Sequence, residues 1–148
     1  MRNTINMKKI VFTFLLFVIT YSINAQTIFD KWNTRDEKTG NINSVVEIYK
    51  KNGKAYAKII KIIDPKYKDK LCDLCKGNNK NKPGVGINVL LKLEKKRKKW
   101  SKGYAFDPRN GNYYNCYIKL IEPNKLKVRG FVGIPIFGET VYWERASK

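Results

Sequence analysis

Two cysteines three positions apart, Cys72 and Cys75, carry the spacing in this chain that most suggests chemistry. Such a pair can form a disulfide, act as a thiol–disulfide redox centre, or supply two thiolates to a zinc ion. The redox interpretation needs a helix start within a βαβ unit, and the sequence pattern shows none. A zinc site needs four ligands, yet the chain has three cysteines and no histidine, so carboxylates or a second chain would have to complete it. The sequence therefore favours a structural disulfide and predicts no metal and no cofactor.

The absence of histidine also bears on catalysis. It removes the Ser–His and Cys–His nucleophile systems and the metal sites that rely on imidazole. A pair of carboxylates remains an option for a hydrolase. However, Asp64 and Asp107 each precede a proline, as turn-forming residues do, and Glu47 and Glu144 lie on polar strand faces. We therefore predict that the protein is not an enzyme.

Short strands separated by turns must position these residues. Nothing beyond the N-terminus sustains a helical period. The turns have clear chemistry, as in Asn52-Gly53 and in residues 107–111, which read DPRNG. Mostly adjacent strands favour an up-and-down meander, and eight strands can close into a barrel without free edges. We predict an all-β fold, an eight-stranded antiparallel up-and-down barrel with strands at 28–33, 44–50, 54–62, 87–93, 101–106, 112–120, 125–132 and 139–145.

Alternation along these strands suggests residues that line the interior. Trp100, Tyr114 and Trp143 are the best candidates for the lining of a ligand pocket. Arg129 is a candidate partner for an anionic head group, although alternation also allows it to point outward beside Lys127. The alternative is that the aromatic side chains simply fill the core. Cys116, on an apolar face of the sixth strand, is expected to be an inert core thiol.

For two segments, the sequence does not decide how much volume remains inside the barrel. In the fifth strand, Gly103 and Ala105 would clear space for a ligand if they point inward, whereas Tyr104 and Phe106 would fill it. The one long connection, residues 63–86, contains both cysteines of the pair and little apolar content. A connection of this length is usually functional or disordered, and in a barrel it could lie across one mouth.

The N-terminus has the pattern of an export signal. Arg2, Lys8 and Lys9 form a positive region, residues 10–19 are apolar except for one threonine, and a small residue precedes a cut before Gln26. The alternative is an uncleaved anchor. We predict a signal peptide at residues 1–25, a single domain at residues 26–148, and a location in the periplasm or outside the cell.

The formal net charge of +19 suggests an anionic partner. Export, an excess of lysine over arginine and the spread of the charges along the chain argue against nucleic acid. The one dense run, residues 95–99, lies between two predicted strands. It is either a solvated hairpin tip or a contact for an anionic membrane surface.

Several segments together resemble a known family over almost all of the mature chain. In order they are IYKKNGKAY at 48–56, WSKG at 100–103, DPRNG at 107–111, VRGFVG at 128–133, and FG at 137–138 leading to WER at 143–145. Their order and spacing are similar to those of the bacterial family called domain of unknown function 2147. The resemblance implies an exported protein with a lipocalin-like barrel, and it implies no particular activity.

One departure from that pattern concerns the first strand. The lipocalin-like opening usually has a glycine two residues before a tryptophan, and here Asp30 precedes Trp32. Arg145 lies where a barrel-closing arginine would lie. We therefore expect a structural stack of Arg145 on Trp32 across one barrel end.

These observations predict an exported, monomeric, lipocalin-like barrel that binds a small hydrophobic or amphipathic ligand. The alternative is a basic interaction module with a filled barrel, which docks on anionic lipid, lipopolysaccharide or an acidic protein. A hydrolase is the third interpretation.

Overall fold

Eight antiparallel strands, each hydrogen-bonded to the next along the chain, form a closed barrel. The structure, a computed structural model, describes residues 26–147, and the predicted signal peptide lies outside the described residues. The last strand pairs back with the first through Trp32 opposite Arg145 and Asn33 opposite Glu144, which closes the ring. The predicted architecture is thereby confirmed. The strands are β1 Lys31–Arg35, β2 Ile42–Lys51, β3 Lys54–Ile62, β4 Asn88–Lys96, β5 Lys99–Asp107, β6 Asn112–Glu122, β7 Lys125–Phe131 and β8 Gly138–Arg145.

Because successive strands run in opposite directions, their connections alternate between the two ends of the barrel. The connections β2–β3, β4–β5 and β6–β7 lie at one end, which we call the closed end. The segment before β1 also belongs there, where Ile28 is buried and Phe29 packs against the core. The connections β1–β2, β3–β4, β5–β6 and β7–β8 lie at the opposite end, which we call the open end.

Tight turns at the closed end follow from local backbone chemistry. Asn52 and Gly53 both adopt positive φ angles, 50° and 76°, as the two-residue turn of β2–β3 requires. In the β4–β5 turn Arg97 has a φ of 56°. The basic run at residues 95–99 thus lies at an exposed hairpin tip, which is compatible with both of its interpretations.

The apolar core fills the closed-end half of the barrel. Its inward side chains are almost inaccessible to solvent, with Trp32, Leu93, Ile118 and Leu126 all at 0% exposure. They come from strands all around the ring, so burial of this core requires the barrel to close. Packing of apolar surface is therefore the main term that stabilises the fold.

In β5, where the sequence left both facings open, Gly103 and Ala105 point inward, but Gly103 does not clear space for a ligand. Gly103 is buried, and a Cβ atom there would meet backbone of β4, the Leu91 oxygen and the Leu93 nitrogen, the latter at 2.7 Å. This glycine therefore allows two strands to approach closely instead of clearing room for a ligand. Tyr104 faces outward and is 47% exposed.

The long β3–β4 connection folds onto the outer wall of the barrel. It begins with a short helix, α1 Pro65–Lys68, capped by the Asp64 side chain, and continues through a 3₁₀ turn at Gly77–Asn79. Cys72 and Cys75 form a disulfide with Cα atoms 5.2 Å apart. Both pack with Ile87 and Phe106 in a second small core. The suggestion that this connection lies across a mouth is thus corrected, because Cys72, Cys75 and Ile87 pack on Phe106 at the outward face of β5. No helix within residues 26–147 is long and apolar enough to cross a membrane.

Loss of the disulfide should cost a moderate amount of stability. A bridge across so short a loop restricts the unfolded chain little, so Cys72→Ser with Cys75→Ser is expected to lower the free energy of unfolding by about 2 kcal/mol. Chemical denaturation with and without reductant measures this. Mass spectrometry of the wild-type protein after thiol labelling in denaturant should count one free thiol, that of the buried Cys116. Three labelled thiols in protein purified without reductant would contradict the disulfide.

Candidate ligand-binding site

The closed end is sealed by Trp32 and Arg145. Trp32 is fully buried, and its indole Nε1 donates a hydrogen bond of 2.9 Å to the Ile28 carbonyl oxygen. The guanidinium carbon of Arg145 lies 4.5 Å from the centroid of the Trp32 ring. The same guanidinium donates to the carbonyl oxygens of Thr27 and Pro123, at 3.0 Å and 2.8 Å. Arg145 thus ties the N-terminal segment and the β6–β7 turn to the barrel floor.

Asp30, which replaces the usual glycine, is part of this seal. Its Oδ2 accepts a hydrogen bond of 2.6 Å from Nη1 of Arg145, and its Oδ1 accepts one of 2.8 Å from the Lys31 amide. A glycine at position 30 would supply neither carboxylate contact. The departure from the family pattern therefore adds a charged partner for the arginine that closes the barrel.

Inward positions at the open end remain accessible, in contrast to the sealed floor. Register places Gly130 opposite Glu139 and Val128 opposite Val141, so these residues continue the inward faces of β7 and β8. Ser44 lies opposite Thr34 on one side and Ile62 on the other, so these three residues also belong to the inward face. We call the accessible or half-buried inward residues of this half the open-end lining: Thr34, Ser44, Ile62, Ala105, Tyr114, Gly130, Glu139 and Val141.

The open-end lining combines small side chains with a few polar groups. The Thr34 and Ser44 hydroxyl oxygens lie 2.8 Å apart. A Cβ atom added at Gly130 would meet only the Tyr114 Cβ, at 3.7 Å, which is ordinary contact. Space therefore exists beside Gly130 for atoms that the protein does not supply. Small and polar inward side chains above an apolar core are a lining that suits a small amphipathic molecule.

The four residues predicted to line a pocket are not brought together. Trp100 and Trp143 belong to the closed-end core with 6% and 7% exposure, and the Phe29 ring packs edge-on against Trp100 at 5.4 Å. Tyr114 lies in the open-end lining, where its hydroxyl accepts a hydrogen bond of 3.0 Å from the Asn110 side-chain amide. Contact of Trp100, Tyr114 or Trp143 with a ligand stays a prediction.

Arg129 lies on the outer face of β7, which corrects its assignment to the pocket. Its Nε donates a hydrogen bond of 2.7 Å to the Pro135 carbonyl oxygen, and its Nη1 donates one of 2.7 Å to Thr140 Oγ1. Alternation explains the placement, because its neighbours Val128 and Gly130 both point inward. Arg129 fixes the β7–β8 loop and supplies no cation to the interior.

The sequence pattern does indicate residues of the open-end lining, although the aromatic residues drew attention to other positions. Thr34 lies two positions after Trp32, and Ser44 lies two positions before Val46. Glu139 likewise precedes Val141 by two. Period-two alternation from the confirmed inward residues would have found all three.

Acid–base and thiol chemistry receive little support from the described residues. Burial raises the pKa of the Cys116 thiol to about 12, so this cysteine is not a nucleophile at neutral pH. Burial alone would raise the pKa of Asp107, but hydrogen bonds from the side chain and backbone of Arg109 lower it overall. A hydrogen bond from Arg35 lowers the pKa of Glu144. Both carboxyl groups are thus poor general acids at neutral pH. Within residues 26–147, no three cysteine or carboxylate side chains lie together as a metal site would require.

A surface groove of about 630 Å³ lies at the closed end, beside the β6–β7 turn. Charged and small residues line it, with no large apolar side chain among them. It therefore offers little to a hydrophobic ligand. Its lining is Glu122, Asn124, Lys125, Glu144, Arg145, Ala146 and Ser147.

Comparison with known proteins agrees with this architecture. The chain is similar to the solved structure of protein HP1028 from the human pathogen Helicobacter pylori, which belongs to the lipocalin family. The TM-score is 0.72 at 23% sequence identity, and the match covers 82% of this chain and 84% of that one. No curated protein sequence matches the chain. Residues 30–145 match the family described as uncharacterized protein conserved in bacteria, DUF2147. The chain therefore belongs to the DUF2147 family, with a lipocalin-like barrel as its fold.

Proposed function

We propose that the protein is an exported, monomeric, non-enzymatic carrier or sensor of a small amphipathic ligand held in the open-end half of the barrel. The observation that carries this proposal is the contrast between the two halves. Inward residues of the closed-end half are sealed, whereas those of the open-end lining are small and accessible. The fold agrees, because eight-stranded barrels of this kind have room for one small ligand. The N-terminal export pattern and the disulfide support a location in the periplasm or outside the cell.

The charge of the lining narrows the class of ligand. Glu139 is the one charged residue in the open-end lining, and the nearby cation, Arg129, lies on the outer face. A carboxylate at the mouth repels a fatty-acid carboxylate and accepts hydrogen bonds from a hydroxyl or amine. The ligand class is therefore an apolar body with a neutral or cationic, hydrogen-bond-donating end.

Retinol and retinoic acid test this class as a matched pair, because they share one apolar body and differ in the polar end. Fluorescence titration should show tighter binding of retinol by about tenfold, the ratio expected for one unfavourable charge contact at the mouth. Glu139→Gln should bring the two affinities together. Equal binding of both probes by the wild-type protein, or preference for retinoic acid, would refute the assignment of Glu139.

Filling the lining should abolish binding without unfolding the protein. Gly130→Trp places a large side chain in the open space beside Tyr114, so retinol affinity is expected to fall by at least about thirtyfold. Gly130→Ala is the matched control, because one methyl group fits at ordinary contact distance and should leave binding nearly unchanged. Retention of full affinity by folded Gly130→Trp would contradict a ligand site in the open-end half.

A basic docking module is the second candidate function, favoured by charge at the closed end. The β2–β3 and β4–β5 hairpin tips are neighbours because β3 pairs with β4. The ion pair of Lys54 with Glu94 at 2.9 Å leaves the remaining basic residues uncompensated in this region. Binding of lipopolysaccharide that disappears at high salt, together with no binding of either retinoid, would favour this function over the first. The basic residues of the two tips are Lys50, Lys51, Lys54, Lys95, Lys96, Arg97, Lys98 and Lys99.

A further inference from the structure

The β7–β8 loop, residues 132–137, presents an unusual apolar surface at the open end. Val132, Ile134, Ile136 and Phe137 are exposed by 67%, 56%, 73% and 70%. The loop contains no charged residue, and the two remaining positions are glycine and proline. A cluster of large, exposed apolar side chains on a soluble surface usually marks an interaction site.

This exposure is built into the loop conformation. The Val132 amide donates a hydrogen bond of 3.0 Å to the Phe137 carbonyl oxygen. The Phe137 amide donates one of 3.1 Å to the Ile134 carbonyl oxygen. From the outer face of β7, Arg129 Nε donates a hydrogen bond of 2.7 Å to the Pro135 carbonyl oxygen. These contacts bind the backbone while the apolar side chains project away from the barrel. Arg129, which the pocket does not use, therefore has the role of positioning this loop.

A second set of exposed apolar side chains lies on another side of the mouth, in the β3–β4 connection. This connection packs against Phe106 of β5 and against the β5–β6 turn, away from the β7–β8 loop. In that connection Leu71, Leu74 and Val85 are exposed by 53%, 57% and 51%. The same segment carries six lysines against three aspartates: Lys66, Lys68, Lys70, Lys76, Lys80 and Lys82 against Asp64, Asp69 and Asp73.

We propose that the open end docks on an anionic membrane surface, with the apolar tips of the β7–β8 loop and the β3–β4 connection entering the headgroup region. Apolar groups on separate sides of a mouth fit one flat, deformable apolar layer better than a single protein groove. Apolar insertion combined with lysine attraction to anionic headgroups is the pattern of interfacial binding. The uncompensated lysines of the β3–β4 connection supply the charge complementarity.

This orientation places the ligand mouth against the bilayer, and in that respect it rests on the proposed function. An amphipathic molecule could then pass between lipid and the open-end lining without crossing bulk water. The basic hairpin tips of the closed end would face away from the membrane. Docking itself requires only the loops, so it can be measured whether or not a ligand binds.

Vesicle co-sedimentation of the mature protein tests the proposal. Vesicles of phosphatidylcholine with about 30% phosphatidylglycerol should bind the protein, and pure phosphatidylcholine should bind it more weakly, by about tenfold or more. Ile136→Ser with Phe137→Ser should weaken binding to the anionic vesicles by about tenfold or more, because the inserted apolar area is lost. The matched control is Ile121→Ser, which removes a 41% exposed apolar side chain at the opposite, closed end and should leave binding unchanged.

Other results would show which part of the proposal is wrong. Equal vesicle binding by the loop variant and the wild-type protein would overturn the proposal. So would loss of binding in Lys96→Gln with Lys98→Gln, which would assign the contact to the closed end. Retinol titration of the loop variant separates the two claims. Lost vesicle binding with retained retinol affinity supports docking, and vesicle binding by a wild-type protein that binds neither retinoid leaves docking standing while refuting the ligand site.

Discussion

Arg145→Ala should lower the free energy of unfolding by about 3 kcal/mol, since several distinct contacts end at this one side chain. The cation–π contact with Trp32 contributes about 0.5–2 kcal/mol. Hydrogen bonds that involve a charged group contribute about 1.5–3 kcal/mol. The guanidinium donates to Asp30 and to the backbone of Thr27 and Pro123, so its loss would also loosen the N-terminal segment that covers the floor.

Urea denaturation followed by far-UV circular dichroism measures this loss of stability. Two further variants separate the contributions of the charge and of the ring contact. Arg145→Lys keeps a charge for Asp30 but loses the planar stack and the fork of donors, so it should recover less than half of the stability. A double-mutant cycle of Arg145→Ala with Trp32→Leu isolates the ring contact, because leucine has no aromatic face. If Arg145→Ala changes stability by less than about 0.5 kcal/mol, within the range of ordinary surface substitutions, the seal is not structural.

The barrel itself was predictable because each of its determinants is local. Asn52-Gly53 fixes one hairpin through two positive φ angles, and short apolar alternation fixes the strands. Closure then follows from the absence of any other way to cover the edges. The predicted strands match the observed ones to within a few residues, with the largest differences, of three residues, at the start of β1 and the end of β4.

The placement of the long connection depended on packing that no local pattern encodes. The sequence left the facing of Phe106 open, and only the three-dimensional structure brings Cys72 and Cys75 over it. Lys92 and Lys102 have φ angles of 57° and 60° and locally break the alternation in β4 and β5. Predictions of facing made by simple alternation are therefore weakest where these two strands meet.

Of the residues predicted to line a pocket, the structure places Tyr114 in the open-end lining and Trp100 and Trp143 in the closed-end core. Aromatic residues drew attention to Trp100 and Trp143, which are the bulkiest side chains and for that reason fill the floor. A ligand needs the opposite property, positions where the protein supplies little volume. Small inward residues such as Gly130 and Ser44 meet that condition, and they stand out only once the closed end is distinguished from the open end.

Gly103→Val should destabilise the protein by about 3 kcal/mol, because its added atoms would collide with backbone. A Cβ atom at this position would overlap the Leu91 carbonyl oxygen and lie 2.7 Å from the Leu93 nitrogen. Neither atom can move without disturbing the pairing of β4 with β5, so a rotamer change cannot relieve the contact. Overpacking in a close-packed interior costs about 1–3 kcal/mol, and the upper end applies where the obstacle is main chain.

Gly130→Val is the matched control for this collision, since it makes the same change at another inward glycine of the same barrel. There the nearest atom to an added Cβ is the Tyr114 Cβ at 3.7 Å, so the substitution should be close to neutral. Replacing a strand glycine also restricts the unfolded chain, which acts in favour of the variant. Thermal unfolding of the two variants under identical conditions should therefore separate them by several degrees, with Gly103→Val the lower. Equal melting temperatures would mean that β4 and β5 do not approach as closely at Gly103 as the structure indicates.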